Sequence, residues 1–310
     1  MSLSQTEKGI ALAAVSGAGF GLMPLLAKVA YAGGANVTQV LTLRFLLAAA
    51  LLWASLSGGT VLTPPPSPGR QPKRNLTVPR RELFSLFLLG ALGYGVMSSL
   101  YFKGLSLLPA SLSALFLYTY PALVAGLSHL VGEERLSWKR GLAVLASFLG
   151  LALMLGGSWS GANAVGTFFG LTAAFTYALY ILAGNSILKR VEPQVASTYA
   201  ITSGALVYLI YSLFTGQLSF HLPLATWIAL LTMALISTGL AIATFFQAVK
   251  LIGAPLASIV STVEPLVTIL LSILFLGERL SLLQGTGGLF ILGSILWLQW
   301  PARKGSVFQA

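Results

Sequence analysis

The 310-residue sequence contains no cysteine and no aspartate, and only two histidines. Disulfides, thiolate nucleophiles and Cys-ligated metals are therefore excluded. Its seven carboxylates are all glutamate, which leaves little material for acid–base or metal chemistry. Charge of either sign is scarce too. Charged residues make up 8% of the chain, against about 25% in a soluble globular protein. What fills the space is apolar: 56% of residues, with a mean hydropathy of +0.87. That composition excludes disorder over most of the length and points to a polytopic membrane protein.

The formal net charge of +11 invites a nucleic-acid reading, but a bilayer protein gathers Lys and Arg in its cytoplasmic loops. The positions decide it. Ten runs are long and apolar enough to be spanning helices, each needing about 20 residues: 9–31, 38–57, 82–107, 110–131, 138–156, 163–188, 194–215, 222–249, 255–276 and 282–300. An all-α fold follows, because a helix satisfies its own backbone hydrogen bonds in lipid. A β-barrel would read as ten-residue alternating segments, and these runs are longer and continuous. The first run also exceeds the apolar core of a secretory signal, so it is expected to stay as a helix.

Residues 58–81 differ from the other connections. Pro64-Pro65-Pro66 is followed by Arg70, Lys73, Arg74, Arg80 and Arg81, which reads as a flexible basic loop. If ten spans alternate from a cytoplasmic N-terminus, this loop shares the inner side with Lys8, Arg135, Lys139, Arg140, Lys189, Arg190, Lys250, Arg303 and Lys304. Fourteen of the eighteen basic residues then lie inside, which places both termini in the cytoplasm and accounts for the charge without nucleic acid.

The chain also repeats itself. Shifted by 144 positions, residues 101–141 fall on 245–285 without a gap, with 13 of 41 identical. Leucines give some chance matches, but Pro121/Pro265, Gly141/Gly285 and the run Glu134-Arg135-Leu136-Ser137 over Glu278-Arg279-Leu280-Ser281 do not arise so easily. Residues 9–157 and 163–301 are the two expected repeats. Each holds five spans. Five is odd, so the second half enters the membrane from the opposite side. Inverted repeats are a mark of secondary transporters, because two similar halves can exchange conformations around a shared cavity.

On these residues the chain resembles the EamA-type branch of the drug/metabolite transporter superfamily. The likeness is carried by Pro121 and Pro265 midway along the fourth and ninth spans, the Gly-Glu-(Glu)-Arg-Leu-Ser run after each, and Gly141 and Gly285 opening the next span. Arg44 in the second span and Glu264-Pro265 in the ninth add to it. The resemblance covers about residues 9–300. It implies proton- or gradient-linked movement of small metabolites or drugs through a central cavity lined by spans 1, 3, 4, 6, 8 and 9. The long basic loop departs from the compact pattern.

Glu264 is the sharpest candidate residue, the one carboxylate well inside an expected span. Charge there is expensive and by default functional, so Glu264 is a candidate for proton coupling or substrate contact; the plainer alternative is a neutral hydrogen-bond donor between helices. Ser261 and Thr268 share its helix face by spacing. Each of Pro24, Pro121 and Pro265 strips a carbonyl of its helical partner, on Phe20, Leu117 and Ser261 respectively, which suits hinges in cavity-lining helices as well as simple packing kinks. Tyr94, Ser98 and Tyr101 form a stripe on the third span. Tyr120 on the fourth and Tyr177 and Tyr180 on the sixth add aromatic, weakly polar surface, unless they pack. Arg44 lies about two turns into its span and serves either structure or an anionic group. Lys103 can add positive charge at the cavity mouth, with Gln247 at its repeat-equivalent position. Lys28 is expected to snorkel, and Ala13, Gly17 and Gly21 mark a close helix approach.

The function expected is a secondary transporter moving small organic solutes by alternating access, exporting amino acids or related metabolites. The alternative is efflux of amphipathic cationic drugs. A membrane-embedded enzyme is disfavoured, since no P-loop, H-E-x-x-H or G-x-S-x-G occurs. No cofactor or metal is expected. The expected partners are a small-molecule substrate, the lipid bilayer of the cell (plasma) membrane and protons as coupling ion; the oligomeric state is left open.

Overall fold

The computed structural model describes residues 4–58, 78–130, 138–156, 163–188 and 190–299. The tripled proline, Glu134–Ser137, Lys189, Arg303 and Lys304 lie outside these residues. All regular structure among the described residues is helical, and six stretches are long and apolar enough to cross a membrane.

The first span is two helices, α1 (Gln5–Gly21) and α2 (Met23–Ala32), broken at Leu22. Ser4 and Glu7 form a reciprocal capping box at the start of α1, and Pro24 sits at the start of α2, where its missing N–H matters least. Then come α3 (Val37–Gly58), α4 (Arg80–Leu88), a π-helical segment Leu89–Gly95, and α5 (Val96–Leu107). The fourth expected span is α6 (Ala110–Leu117) and α7 (Tyr120–Leu130), parted at Tyr118–Thr119. After α8 (Trp138–Gly156), the second half runs α9 (Ala164–Leu188), α10 (Pro193–Thr215), α11 (Leu224–Thr232), a π-helical segment Met233–Leu240, α12 (Ala241–Val260), α13 (Val263–Leu276) and α14 (Leu282–Gln299).

The 144-residue offset reappears in the backbone. It carries the π segment starting at Leu89 onto the one starting at Met233. Packing follows the same exchange. α1 lies on α12 as α9 lies on α5, α3 pairs with α10, and α8 pairs with α14. Each half also supplies a hydroxyl to the other near its π segment. Tyr208 of α10 donates to the Gly95 carbonyl at 2.5 Å, and Ser16 of α1 donates to the Ala241 carbonyl at 2.7 Å. A π turn frees backbone groups from the regular ladder, and in lipid those need partners from neighbouring helices.

One expected boundary moves. The eighth and ninth spans were expected to part at 250–254, but α12 runs helically through them, and the break falls at Ser261–Thr262. In the first half the equivalent parting is real, because Leu108 precedes Pro109 and takes an extended backbone, φ −120° and ψ 158°. The second half places Gly253 where the first has Pro109, but Pro255 still stands inside α12, so a local cost of about 3 kcal/mol for proline in a helix interior is outweighed there by packing.

α13 ends at Gly277 with a left-handed φ of 64°. That turn delivers Glu278 across to the other half. Its carboxylate accepts from the Ala110 N–H at 2.6 Å, the Ser111 N–H at 3.0 Å and the Ser111 hydroxyl at 2.6 Å. An otherwise unsatisfied helix start is thereby capped by the opposite repeat.

Candidate functional site

The breaks in the first and fourth spans and at α12–α13 meet at one place, between the halves. A cavity of about 40 Å³ lies there. That is room for a few water molecules. Its walls bring together Arg44, Tyr94, Ser98, Tyr101, Tyr120, Tyr177 and Glu264 of the expected residues. Phe20, Met23, Met97, Phe102, Leu117 and Tyr118 complete it.

Glu264 sits in the first turn of α13. Its position depends on small residues in α1. A Cβ on Gly17 would stand 3.1 Å from the Ser261 carbonyl oxygen, and one on Gly21 would stand 2.7 Å from the Glu264 carbonyl oxygen. The expected small-residue stripe thus lets α1 press against the backbone that carries the acid. Tyr118 donates toward Glu264 Oε2 at 2.8 Å and toward the Ser261 carbonyl at 2.9 Å. The carbonyl that Pro265 strips of its helical N–H has therefore found a side-chain partner.

Ser261 and Thr268 do not share the cavity with Glu264. The Ser261 hydroxyl turns back to the Ala257 carbonyl at 2.9 Å, and Thr268 donates to the Gly21 carbonyl at 3.0 Å, at the break between α1 and α2. Ser261 thus bonds back to its own helix and Thr268 reaches across to α1; only the middle member of the stripe faces the cavity. Tyr180 stands behind the wall, stacked on Tyr177 with centroids 5.9 Å apart and 5.6 Å from Tyr94. Lys103 is exposed and Gln247 half-buried, both away from the cavity. Lys28 does not snorkel freely, since its ammonium donates to the Leu108 carbonyl at 2.6 Å, beside the Glu278 cap.

Arg44 is fully buried. Its guanidinium donates to the Met23 sulfur at 3.0 Å and the Tyr94 hydroxyl at 3.3 Å, and its carbon lies 4.7 Å from the Phe45 ring centre and 4.8 Å from that of Phe102. Its Nε has no partner, and no carboxylate is among its partners within the described residues. Aromatic faces are worth about 2 kcal/mol when desolvated. Burying an ion costs several kcal/mol. The site therefore holds a fixed cation whose charge is only partly answered.

Tyr118 and Phe102 were missed from the sequence. Tyr118 carried a signal: it occupies the repeat position of Thr262, at the matching break. Phe102 looks like any apolar residue, and only packing reveals the guanidinium above it.

The sequence matches the EamA-like transporter family twice, over residues 7–156 and 164–300. It is 28% identical over 276 residues to an uncharacterized transporter, YcbK, of Bacillus subtilis (strain 168), covering 86% of this chain and 85% of that one. It is 27% identical over 225 residues to a second such transporter of that organism, YyaM, covering 70% and 73%. To the protein PecM of Dickeya dadantii (strain 3937) it is 26% identical over 223 residues, covering 70% and 74%. A solved crystal structure superposes with a TM-score of 0.65 at 19% identity, covering 93% of this chain and 95% of that one; this likeness shows the fold.

Proposed function

The chain belongs to the EamA-like transporter family, and from that premise we propose that it is a secondary transporter which exports amino acids or related small zwitterionic metabolites by alternating access between two inverted repeats. That it is a multi-pass helical membrane protein follows from its spans and its family. The substrate class, the mechanism and the orientation are our reading.

One observation carries it. Arg44 and Glu264 line the same small cavity where the two halves meet. A solute carrying both a carboxylate and an ammonium answers both. Its carboxylate pairs with the partly compensated guanidinium, through charge-assisted hydrogen bonds. Its ammonium faces Glu264. Phe20, Met23 and the tyrosines receive an apolar side chain. At about 40 Å³ the cavity is too small for such a solute, so binding requires the halves to part. The exchange pattern in the packing supports a rocking of one repeat against the other, opening each end in turn.

Glu264 is the coupling site in this reading. A proton and the solute's ammonium compete for one carboxylate, so a proton entering from one side releases the solute to that side. The basic residues favour both termini in the cytoplasm of a cell membrane. Efflux of cationic drugs is the second reading, favoured by the acid and the aromatic walls. Arg44 opposes it, since a second buried cation in a water-poor cavity is repelled by the first.

The test is reconstitution in liposomes with an imposed pH gradient. Counterflow of a panel of amino acids and cationic dyes is then measured. Amino-acid counterflow without dye movement is the expected result. Movement of dyes alone would select the second reading, and movement of neither would end both.

A further inference from the structure

The cavity gives roles to Arg44 and Glu264 and leaves unexplained why a phenol reaches across from the other half to the ninth span. Tyr118 lies at the parting of α6 and α7. Its hydroxyl is within hydrogen-bond distance of two acceptors on the facing break: the Ser261 carbonyl at 2.9 Å and Glu264 Oε2 at 2.8 Å. A phenol has one proton to give, so it can satisfy only one of them fully.

Which acceptor receives it depends on Glu264. When the carboxyl group is ionised, the charge-assisted bond is the stronger, and the phenol proton belongs to Glu264. The Ser261 carbonyl is then left with the Glu264 N–H, at 2.9 Å, because Pro265 offers it none. When Glu264 is protonated, the carboxylic acid donates to the phenol oxygen, and the phenol proton swings to the Ser261 carbonyl. No covalent bond to Tyr118 breaks in this exchange; its hydrogen rotates about the C–O bond, and the one proton gained sits on Glu264. Besides Tyr118, the titratable and charged groups around the cavity with Glu264 are Arg44 on α3, Tyr94 and Tyr101 on the third span, Tyr120 on α7 and Tyr177 on α9; Ser98 adds a hydroxyl. From α1 the contact is Gly17 and Gly21, and Lys28 on α2 is turned to Leu108. Of all these, Tyr118 alone hydrogen-bonds the Glu264 side chain among the described residues.

We propose that Tyr118 is a positioning residue that relays the protonation state of Glu264 to the hinge at Ser261–Thr262. The proposal rests on the reading of Glu264 as the proton carrier. It adds that the hinge feels the proton through the carbonyl exposed by Pro265, by gaining or losing one hydrogen bond at the break.

The experiment needs no solute. The chain has no cysteine, so spin labels at Leu251→Cys and Leu274→Cys report the distance across the break alone. Both positions are exposed on the helices either side of it. In the reconstituted full-length protein the distance distribution is measured at about pH 5 and about pH 8, a range spanning carboxyl ionisation in and out of water. The expected result is a pH-dependent shift that is lost in Tyr118→Phe, while that variant still takes up a proton as read by an indicator dye. Pro265→Ala, which returns an N–H to the Ser261 carbonyl, is a second variant expected to lose the shift, and it keeps the test alive if Tyr118→Phe fails to fold. A full shift in Tyr118→Phe, or none in the unsubstituted labelled protein, overturns the relay. A shift that persists in Glu264→Gln overturns the proton-carrier reading with it, while amino-acid counterflow still decides the transport reading separately.

Discussion

Ser111 and Glu278 lie 167 positions apart and are joined twice, the carboxylate accepting the Ser111 N–H at 3.0 Å and its hydroxyl at 2.6 Å. One repeat thus caps a helix of the other. Glu278 belongs to the repeated Glu-Arg-Leu-Ser run, and the bond ties the halves together just past the C-terminal end of α13. The first prediction follows. Glu278→Ala leaves two backbone donors and a hydroxyl without their acceptor, and is expected to destabilise the detergent-solubilised protein by about 2–3 kcal/mol, on the scale of hydrogen bonds to charged groups. Thermal unfolding measures it. A cysteine introduced at Ser106, exposed shortly before Ala110, should also label faster with a water-soluble maleimide in that variant. Unchanged unfolding and labelling would show that the cap holds nothing shut.

Arg44 is predicted to select the solute. Arg44→Gln removes a charged donor worth about 1.5–3 kcal/mol, so the apparent KM for a transported amino acid should rise about tenfold or more. Arg44→Lys keeps the charge but not the planar stacking on Phe45 and Phe102, and should fall between the two. Concentration-dependent counterflow reads both. Equal KM values in all three proteins would confine Arg44 to packing.

Glu264→Gln is expected to fold, because an amide can still accept from Tyr118. It should nevertheless lose accumulation driven by a pH gradient, and its residual counterflow should no longer vary with pH. The check is uptake into liposomes with and without the gradient. Undiminished accumulation would remove Glu264 from coupling.

Gly21→Ala tests the close approach of α1 to α13. Its methyl would stand 2.7 Å from the Glu264 carbonyl oxygen and 2.8 Å from the Val267 Cβ, an overpacking expected to cost about 1–3 kcal/mol. Gly126→Ala, whose Cβ meets nothing within 4 Å, is the control, expected to be neutral or slightly stabilising. Melting curves of the two variants in one detergent decide the matter, and equal curves would mean that α1 shifts freely.

The break at Ser261–Thr262 shows where reading the sequence succeeds and where it stops. Pro265 announced a carbonyl in need of a partner, and the need was real. That the partner is Tyr118, from the other half, could not be read, because no local rule links residues 143 positions apart. The parting expected at 250–254 failed for a related reason. Gly253 and Pro255 weaken a helix locally, but tertiary packing outweighs differences of about 1–3 kcal/mol. The stripe of Ser261, Glu264 and Thr268 is expected from spacing to share one face toward the cavity, but Ser261 falls at the break before α13 and only Glu264 lines the cavity, because spacing does not say which neighbour each residue meets.

By itself the amino-acid sequence determined the solvent of this protein, its all-helical character and the presence of two related halves. Each of these is written in composition or in periodicity, which act on every residue of a segment at once and add up over its length. Tertiary structure alone decided that Arg44 lies among aromatic faces, that Glu264 answers to one phenol, and that Glu278 caps a helix of the opposite half. Those are single contacts between distant positions, set by how curved and broken helices fill space together, and no average along the chain contains them.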